Sequence, residues 1–476
     1  MFAHAAAFGD VDGDGWADLV VGTFADRPVA RYRVRGAEGP APDRLLRGGP
    51  GGFTPDLAFP TVRGRTSAAA FADLDGDGDP DLVLSRNVKP GKPGAHRTDV
   101  YENRGGRFVP VPEPGIDPEL GARSLGFLDL DGDGRLDLFV AVDRWRGGRS
   151  RFYRNLGGLR FRDETVAVGL PDHLAGLGVA TSDVDGDGDV DLFVAGDDRL
   201  FLDAGDRFVE ALPGRFAWEP YGNEDDPAGA AFGDVDGDGR PDLVIGQHFN
   251  STVDFGVPAP VRLFLNRSDT SVAFVEATEA AGLVPLPTKA PHVEIVDLDN
   301  DGIPDILTSA SAEGGTRPAV FRGLGVRDGI PRFAAPAGLG DAQYWVTAPA
   351  ADVDHDGRLD VLLVEFFPQL PTRLLRNVGA SGHWIEVGVD PRWGSGVGGR
   401  VLVFAAGGLG DPAALLGSAD LTVSRGYSAG VLPIAHLGLG RTTRVDVEVR
   451  LPDGMTLQAE GLAADARYSL PDGCGR

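Results

Sequence analysis

Seven times along the chain, four aspartates and a glycine stand in one fixed spacing. The first copy reads Asp10-Val-Asp12-Gly-Asp14-Gly-Trp-Ala-Asp18, and further copies begin at Asp73, Asp129, Asp183, Asp234, Asp297 and Asp352. All share the pattern D-x-D-x-D-G-x-x-D. The carboxylates are Asp10, Asp12, Asp14 and Asp18; Asp73, Asp75, Asp77 and Asp81; Asp129, Asp131, Asp133 and Asp137; Asp183, Asp185, Asp187 and Asp191; Asp234, Asp236, Asp238 and Asp242; Asp297, Asp299, Asp301 and Asp305; and Asp352, Asp354, Asp356 and Asp360. Alternating aspartates put three carboxylates on one side of a tight turn. Ca²⁺ is a hard cation that takes roughly six to eight oxygens. The spacing therefore predicts a calcium loop, with side-chain oxygens from positions 1, 3, 5 and 9 and a backbone carbonyl from position 7. The invariant glycine at position 6 permits the sharp turn.

An EF-hand loop begins in the same way, but it needs a glutamate at position 12 and a helix afterwards. Position 12 here is Val21, Leu84, Val140, Val194, Ile245, Thr308 and Leu363, and the flanking runs read as strands. Asp-Gly turns also form without metal, yet a bare turn does not need four aspartates in every copy. Up to seven structural Ca²⁺ are expected, each joining two strands of its own repeat. Asn300 and His355 fill the variable fourth position of the last two loops.

The elements that must hold these loops repeat with them. The loop starts are 63, 56, 54, 51, 63 and 55 residues apart. A segment of small or apolar residues precedes each loop, as in Ala5 to Phe8, Ala68 to Phe71 and Ala228 to Phe232. A buried-strand run follows, as in Asp18-Leu-Val-Val-Gly22, Asp137-Leu-Phe-Val-Ala141 and Asp242-Leu-Val-Ile-Gly246. A third strand ends near asparagine, at Asn103 and Asn155, and a fourth surrounds an aromatic: Phe108, Phe161, Phe208, Phe274 and Phe333. Four short strands per repeat, repeated radially, make propeller blades. Closure into a ring is favoured over an open solenoid because it removes exposed sheet edges. The expected fold is all-β: a seven-bladed β-propeller over residues 1–380, then a small β-sandwich or barrel over 381–476. The seventh repeat lacks an aromatic fourth strand. Its place is expected to be filled by His383 to Val389 or by a strand upstream of the chain as given, where an export signal would also belong.

The composition agrees with this reading. Seventy glycines and thirty-five prolines suit a chain full of tight turns. The formal charge is −26, which argues against nucleic acid as a partner. Seven divalent ions would leave −12. The single cysteine, Cys474, allows no intrachain disulfide. No apolar run approaches the roughly 20 residues of a membrane span.

After residue 380 the aspartate loops stop and alternating strands are expected at His383 to Val389, Arg400 to Ala405, Asp420 to Ser424, Val445 to Leu451 and Ala466 to Leu470, with a hairpin turn at Asp453-Gly454. His436 and Ser428 lack a recognised catalytic setting and are read as structural.

The loop followed by Asp-Leu-x-Val resembles the FG-GAP/VCBS repeats of integrin α-chain propellers. Phe161-Arg-Asp-Glu-Thr and Phe274-Val-Glu-Ala-Thr-Glu-Ala-Ala-Gly-Leu283 resemble blade ends of the cartilage acidic protein 1-like family. Asn377, His383-Trp384, Val397-Gly-Gly-Arg-Val401, Arg425-Gly-Tyr-Ser428, His436-Leu-Gly-Leu-Gly440 and Leu451-Pro-Asp-Gly454 resemble its C-terminal ASPIC/UnbV domain. Two departures are Leu451 where the family has Trp, and Gly396-Val-Gly-Gly399 where it has Gly-Ile-Gly-Ala. The resemblance implies a secreted calcium-binding protein of adhesion or matrix type. Extracellular calcium modules bind at roughly 10⁻⁴ to 10⁻³ M, so such loops fill outside cells or in the cell envelope and stay empty in cytosol.

In an integrin-like propeller, ligands dock on the face opposite the metal loops. The stretches mapping there contain Lys89, Lys92, His96 and Arg97; Arg144, Trp145 and Arg146; Trp218, Tyr221 and Asn223; His248, Phe249 and Asn250; and Phe366 and Phe367. Aromatics beside arginine can stack on sugars or grip acidic groups. The expected function is a non-enzymatic adhesion or interaction protein for an extracellular protein or glycan. The rival is a calcium-dependent carbohydrate-active enzyme, polysaccharide lyase-like, with Tyr221, His248 and Arg146 converging on one face.

Overall fold

The computed structural model describes residues 2–34, 36–60, 63–87, 97–143, 148–217, 227–247, 261–286, 290–310, 318–342, 344–366, 370–379 and 381–471. In every repeat, position 9 of the aspartate loop is also the first residue of a strand. The seven strands are Asp18–Thr23, Asp81–Arg86, Asp137–Ala141, Asp191–Gly196, Asp242–Gln247, Asp305–Thr308 and Asp360–Leu363. Each is buried along its whole length, as its unbroken apolar run requires. Each pairs antiparallel with the strand before its loop, so the loop is the turn of a β-hairpin.

The second to fifth repeats each form a four-stranded antiparallel sheet in sequence order, such as Thr66–Ala72, Asp81–Arg86, Arg97–Asn103 and Phe108–Pro110. The sixth differs at its fourth strand. Phe333 lies in a side hairpin, Gly323–Arg327 with Ile330–Phe333, and the fourth position is taken by Ala337–Gly338. The seventh sheet has three strands among the described residues, Ala350–Ala351, Asp360–Leu363 and Arg373–Leu375. His383–Val389 does not complete it. That strand runs between Ala435–Gly440 and Ala466–Leu470, where its apolar face finds a partner sheet.

Apolar clusters join each sheet to the next. One holds Ala5, Val20 and Leu45 with Phe71, Leu82 and Tyr101. Equivalent clusters join the second sheet to the third, the third to the fourth, and so on to the seventh. The last returns to the start: Ala351, Leu362 and Val364 pack with Ala6, Phe8 and Leu19. Seven sheets packed in this cyclic order make the ring of a propeller.

The C-terminal part is a two-sheet sandwich. Leu415–Asp420, Arg400–Ala405, Arg444–Arg450 and Thr456–Ala463 form one sheet, and the three-stranded sheet around His383–Val389 packs on it through Ile385, Val387, Val403 and Val447. The turn at Asp453-Gly454 joins Arg444–Arg450 to Thr456–Ala463, with Gly454 N donating to Leu451 O. Between residues 421 and 432 the chain leaves the sandwich. Its short strands Ser424–Arg425 and Ala429–Gly430 join the first sheet of the ring, whose order becomes six-stranded. Among the described residues no helix is long and apolar enough to cross a membrane.

Candidate metal centres

Backbone hydrogen bonds give the four aspartates of a loop distinct duties. The position 1 carboxylate accepts from the position 6 glycine, as in Gly15 N to Asp10 Oδ2 at 3.0 Å and Gly134 N to Asp129 Oδ2 at 2.8 Å. Position 5 closes a short turn on the amide two residues on, as in Trp16 N to Asp14 Oδ1 at 2.8 Å. Position 9 spans the repeat. Asp191 accepts from Val184 N at 2.8 Å with one oxygen and from Asp203 N, on the third strand, at 2.9 Å with the other. Asp137 and Asp242 do the same. Position 9 therefore braces the loop against its own sheet as well as standing among the acids.

Neighbouring repeats are tied at the same point. The asparagine that ends a third strand donates through Nδ2 to the position 2 carbonyl of the preceding loop: Asn103 to Val11 O at 2.8 Å, Asn155 to Leu74 O at 2.8 Å, Asn266 to Val184 O at 2.8 Å and Asn377 to Leu298 O at 2.6 Å. This is the physical reason for the asparagines in the repeat.

The loops that result gather carboxylates within reach of one ion. Asp10, Asp12 and Asp14; Asp73, Asp75 and Asp81; Asp129, Asp131 and Asp133; Asp183, Asp185 and Asp191; and Asp234, Asp236 and Asp242 each offer oxygens within 4.8 Å of one another. Several carboxylate oxygens of the loops are buried with no hydrogen-bond partner: Asp10 Oδ1, Asp236 Oδ1, Asp299 Oδ1, Asp354 Oδ1 and Asp360 Oδ2. An orphaned buried carboxylate oxygen is costly, and a divalent cation would satisfy it. Burial, and then the neighbouring aspartates, raise the proton affinity of the same groups. Asp81 is pushed up to about 8, Asp191 to about 9 and Asp305 to about 7, and Asp242 well above its ordinary range. The donor set fits Ca²⁺: hard oxygens, clustered and partly desolvated.

The seven loops are not equivalent. Arg47 lies by Asp12 and Asp18 at 3.4 and 3.5 Å, and Arg154 by Asp131 and Asp137 at 3.3 and 2.8 Å. Arg267 pairs with Asp236 at 2.6 Å, Arg322 with Asp299, and Arg376 with Asp354. In the second and fourth loops no arginine comes within ion-pair distance among the described residues, and position 7 supplies a fifth acid, Asp79 or Asp189. Position 4 is left-handed in every copy. Glycine holds it five times, and Asn300 and His355 hold it at φ of 53° and 60°. Both side chains have work there. Asn300 Nδ2 donates to Gly357 O at 2.7 Å, and the His355 ring stacks on Trp16 at 4.0 Å, joining the last loop to the first.

His436 is structural in its contacts. Its Nε2 meets Asn300 Oδ1 at 2.8 Å and its Nδ1 meets Glu386 Oε1 at 3.3 Å. Ser428 is buried within the ring. Of the residues assigned to the opposite face, Arg97 is half-exposed and pairs with Asp99. Phe366 packs with Phe2, Phe24 and Tyr344. Arg144, Trp145, Arg146, Trp218, Tyr221, His248, Phe249 and Phe367 lie outside the described residues, as do Lys89, Lys92, His96, Asn223 and Asn250.

Comparison with known proteins identifies both parts. The model for an FG-GAP-like repeat matches residues 10–84, 92–140, 129–194 and 183–245, and the model for ASPIC and UnbV matches residues 390–475. Cartilage acidic protein 1 of Mus musculus is 25% identical over 95% of this chain, which spans 70% of that protein. The Homo sapiens protein of the same name is 24% identical over 84% of this chain, which spans 62% of it. Among solved structures, the exotype rhamnogalacturonan lyase YesX is 15% identical, with a TM-score of 0.41 over 76% of this chain and 60% of its own. The Bacillus licheniformis rhamnogalacturonan lyase PL11 is 14% identical, with a TM-score of 0.40 over 96% of this chain and 71% of its own.

Proposed function

We propose that this chain, which carries FG-GAP-like repeats and an ASPIC and UnbV domain, is a calcium-stabilised interaction protein that works outside the cytosol. The observation that carries the reading is the clustering of carboxylates in loops that recur along the chain, with buried, partnerless oxygens in the first, fifth, sixth and seventh. The loops sit where two strands of one sheet meet and where the next sheet is tied on, so an ion there stiffens the ring. An ion confined by its own sheet serves stability rather than turnover. The reading is of a non-enzymatic protein whose ions are structural, and extracellular calcium levels suit loops of this kind. The ligand is an extracellular protein or glycan, received on the face opposite the loops.

The test is a thermal melt of the calcium-loaded protein against protein stripped on a chelating resin, with bound metal counted in both. A ligand bound only by the folded state raises its stability. A large rise in melting temperature together with several ions per chain supports the reading. Full metal removal with no change in melting temperature overturns it. A binding panel of matrix proteins and acidic glycans, run with calcium present, then identifies the ligand. Cleavage of a glycan in that panel would replace the adhesion reading with the enzymatic one.

A further inference from the structure

The inner strands of the ring are built from small residues: Ala-His-Ala-Ala-Ala-Phe-Gly in Ala3–Gly9, Thr-Ser-Ala-Ala-Ala-Phe-Ala in Thr66–Ala72 and Pro-Ala-Gly-Ala-Ala-Phe-Gly in Pro227–Gly233. Small side chains leave room along the axis, and the segment 421–432 occupies it. Ala429–Gly430 runs parallel to the first inner strand, with Ala6 opposite Ala429 and Ala7 opposite Gly430, and Ala6 N donates to Ser428 O at 3.2 Å. Gly426 N donates to Ala230 O of the fifth repeat at 3.0 Å. Ser428 Oγ donates to Arg123 O of the third at 3.2 Å, and Tyr427 N to His292 Nδ1 of the sixth at 3.3 Å. Tyr427 is 1% exposed and packs on Leu177 and Ala228. The fit is tight: a Cβ on Gly430 would stand 2.5 Å from Ala7 Cβ and 3.0 Å from Ala69 O.

The sandwich that supplies this tongue rests on the metal loops. Gly440 N donates to Asn300 O at 2.9 Å, and Gly382 N to Asp299 O at 2.9 Å. Arg467 Nη1 donates to Gly15 O at 3.2 Å, while its Nε holds Glu386 at 2.6 Å. Ser418 Oγ donates to Asp234 Oδ2 at 3.2 Å. The contacts therefore use backbone carbonyls and a carboxylate of the first, fifth and sixth loops. Beneath the sandwich a cavity of about 130 Å³ is lined by six acids, Asp234, Glu294, Asp297, Asp352, Glu386 and Asp420, with Arg425 and His436 as the basic groups.

From this geometry we propose that the C-terminal domain is a calcium-dependent plug: its tongue fills the propeller axis only while the loops beneath it hold their ions. The inference rests on the calcium reading above. An ion in a loop fixes the carbonyls of Asn300, Asp299 and Gly15 in the directions that the sandwich needs. It also offsets the charge that Glu386 brings against Asp297 and Asp352. Without ions, Asp234, Asp297 and Asp352 face one another across the cavity, while Glu386, Glu294 and Asp420 keep their partners Arg467, Arg425 and Arg400, and the carbonyls lose their support. Release of the plug uncovers the inner edge of the first sheet and opens the axis.

Two measurements on the full chain test the proposal. The first is hydrogen exchange of the tongue and of Ala3–Gly9 at saturating and limiting calcium, with bound metal counted. Both segments are expected to be protected with calcium and to exchange faster together as calcium is withdrawn, ahead of the buried strand Asp137–Ala141. The second uses Gly430→Val, which blocks the tongue and touches no loop. Coupling between two events is reciprocal, so the variant is expected to bind calcium about fivefold or more weakly at part of its sites. Unchanged calcium affinity in Gly430→Val overturns the plug, as does a tongue that stays protected in metal-free, folded protein. A metal count of zero at millimolar calcium overturns the calcium reading itself, and the plug with it. A normal count with an indifferent tongue overturns the plug alone.

Discussion

The second and fourth loops and the sixth and seventh share one motif and solve its electrostatic problem differently. In the second and fourth, five aspartates stand together with no arginine in ion-pair distance among the described residues, and burial pushes Asp81 and Asp191 up to about 8 and about 9. In the sixth and seventh, Arg322 and Arg376 share the acids, and the position 4 glycine is replaced by a residue that contacts another part of the chain. One pair of loops has no arginine within ion-pair distance among the described residues to balance its acids. The other has given part of that task to arginine and has taken on a second task, holding a neighbour. A repeat keeps its backbone and lets side chains outside the motif decide what each copy does.

The largest effect expected from this contrast is on stability. Asp75→Ala with Asp185→Ala removes one ligand from each metal-dependent loop. At calcium about 100-fold above Kd, each lost site forfeits about 2.7 kcal/mol. Together this is a fall of roughly 5 °C in the calcium-loaded melting temperature, at about 1 °C per kcal/mol for a chain of 476 residues. Asp299→Ala with Asp354→Ala is expected to cost about half as much. Calorimetry of the two double variants decides it, and equal falls break the contrast.

Acid gives a second and smaller discrimination. Burial raises Asp81 and Asp191 above the value of about 3.9 in an unfolded chain. Between those values the folded chain holds more protons than the unfolded one, so calcium-free stability falls as pH rises and grows as pH is lowered. With calcium present, the same protons compete with the metal. The stabilisation by calcium is therefore expected to shrink as pH drops from about 9 towards 5. It should shrink first where Asp81 and Asp191 lie and later where Asp305 lies, at about 7. Melting curves with and without calcium across that range read the sign directly.

Asn155→Ala probes what all repeats share. It leaves Leu74 O and Leu136 O unpaired, at a cost of about 1–3 kcal/mol with or without calcium. A cost that appears only with calcium would move this asparagine from the scaffold to the site. The smallest effect belongs to Asn300→Gly. It relieves a left-handed backbone but loses the contacts to His436 and Gly357, for a net loss of about 1 kcal/mol. A gain in stability would show that the backbone strain outweighed those contacts.

Much of the ring was legible because its signals are local and repeated. The aspartate spacing, the strand that starts at position 9 and the terminal asparagine all fall within one repeat, so each copy reinforces the reading of the others. The arginines that share five of the loops gave no such signal, since they reach the acids from other strands and differ in register. The sixth repeat misled because Phe333 copies the aromatic of a fourth strand while the side hairpin displaces it. The tongue was hardest to foresee. Arg425-Gly-Tyr-Ser428 stood out as a motif, but its partners lie on inner strands hundreds of residues away. Two clues were present: alanines and glycines on the inner strands, and Asn300 and His355 where glycine was the rule.

The pairing of Ala6 with Ala429 has a consequence for how the chain is made. The first sheet emerges first from the ribosome, yet its inner edge waits for almost the last strands to be synthesised. Contacts so distant in sequence are slow to form, and an unpaired edge strand invites association with other chains. A nascent or prematurely ended chain that stops short of Gly430 therefore carries an open edge on this sheet.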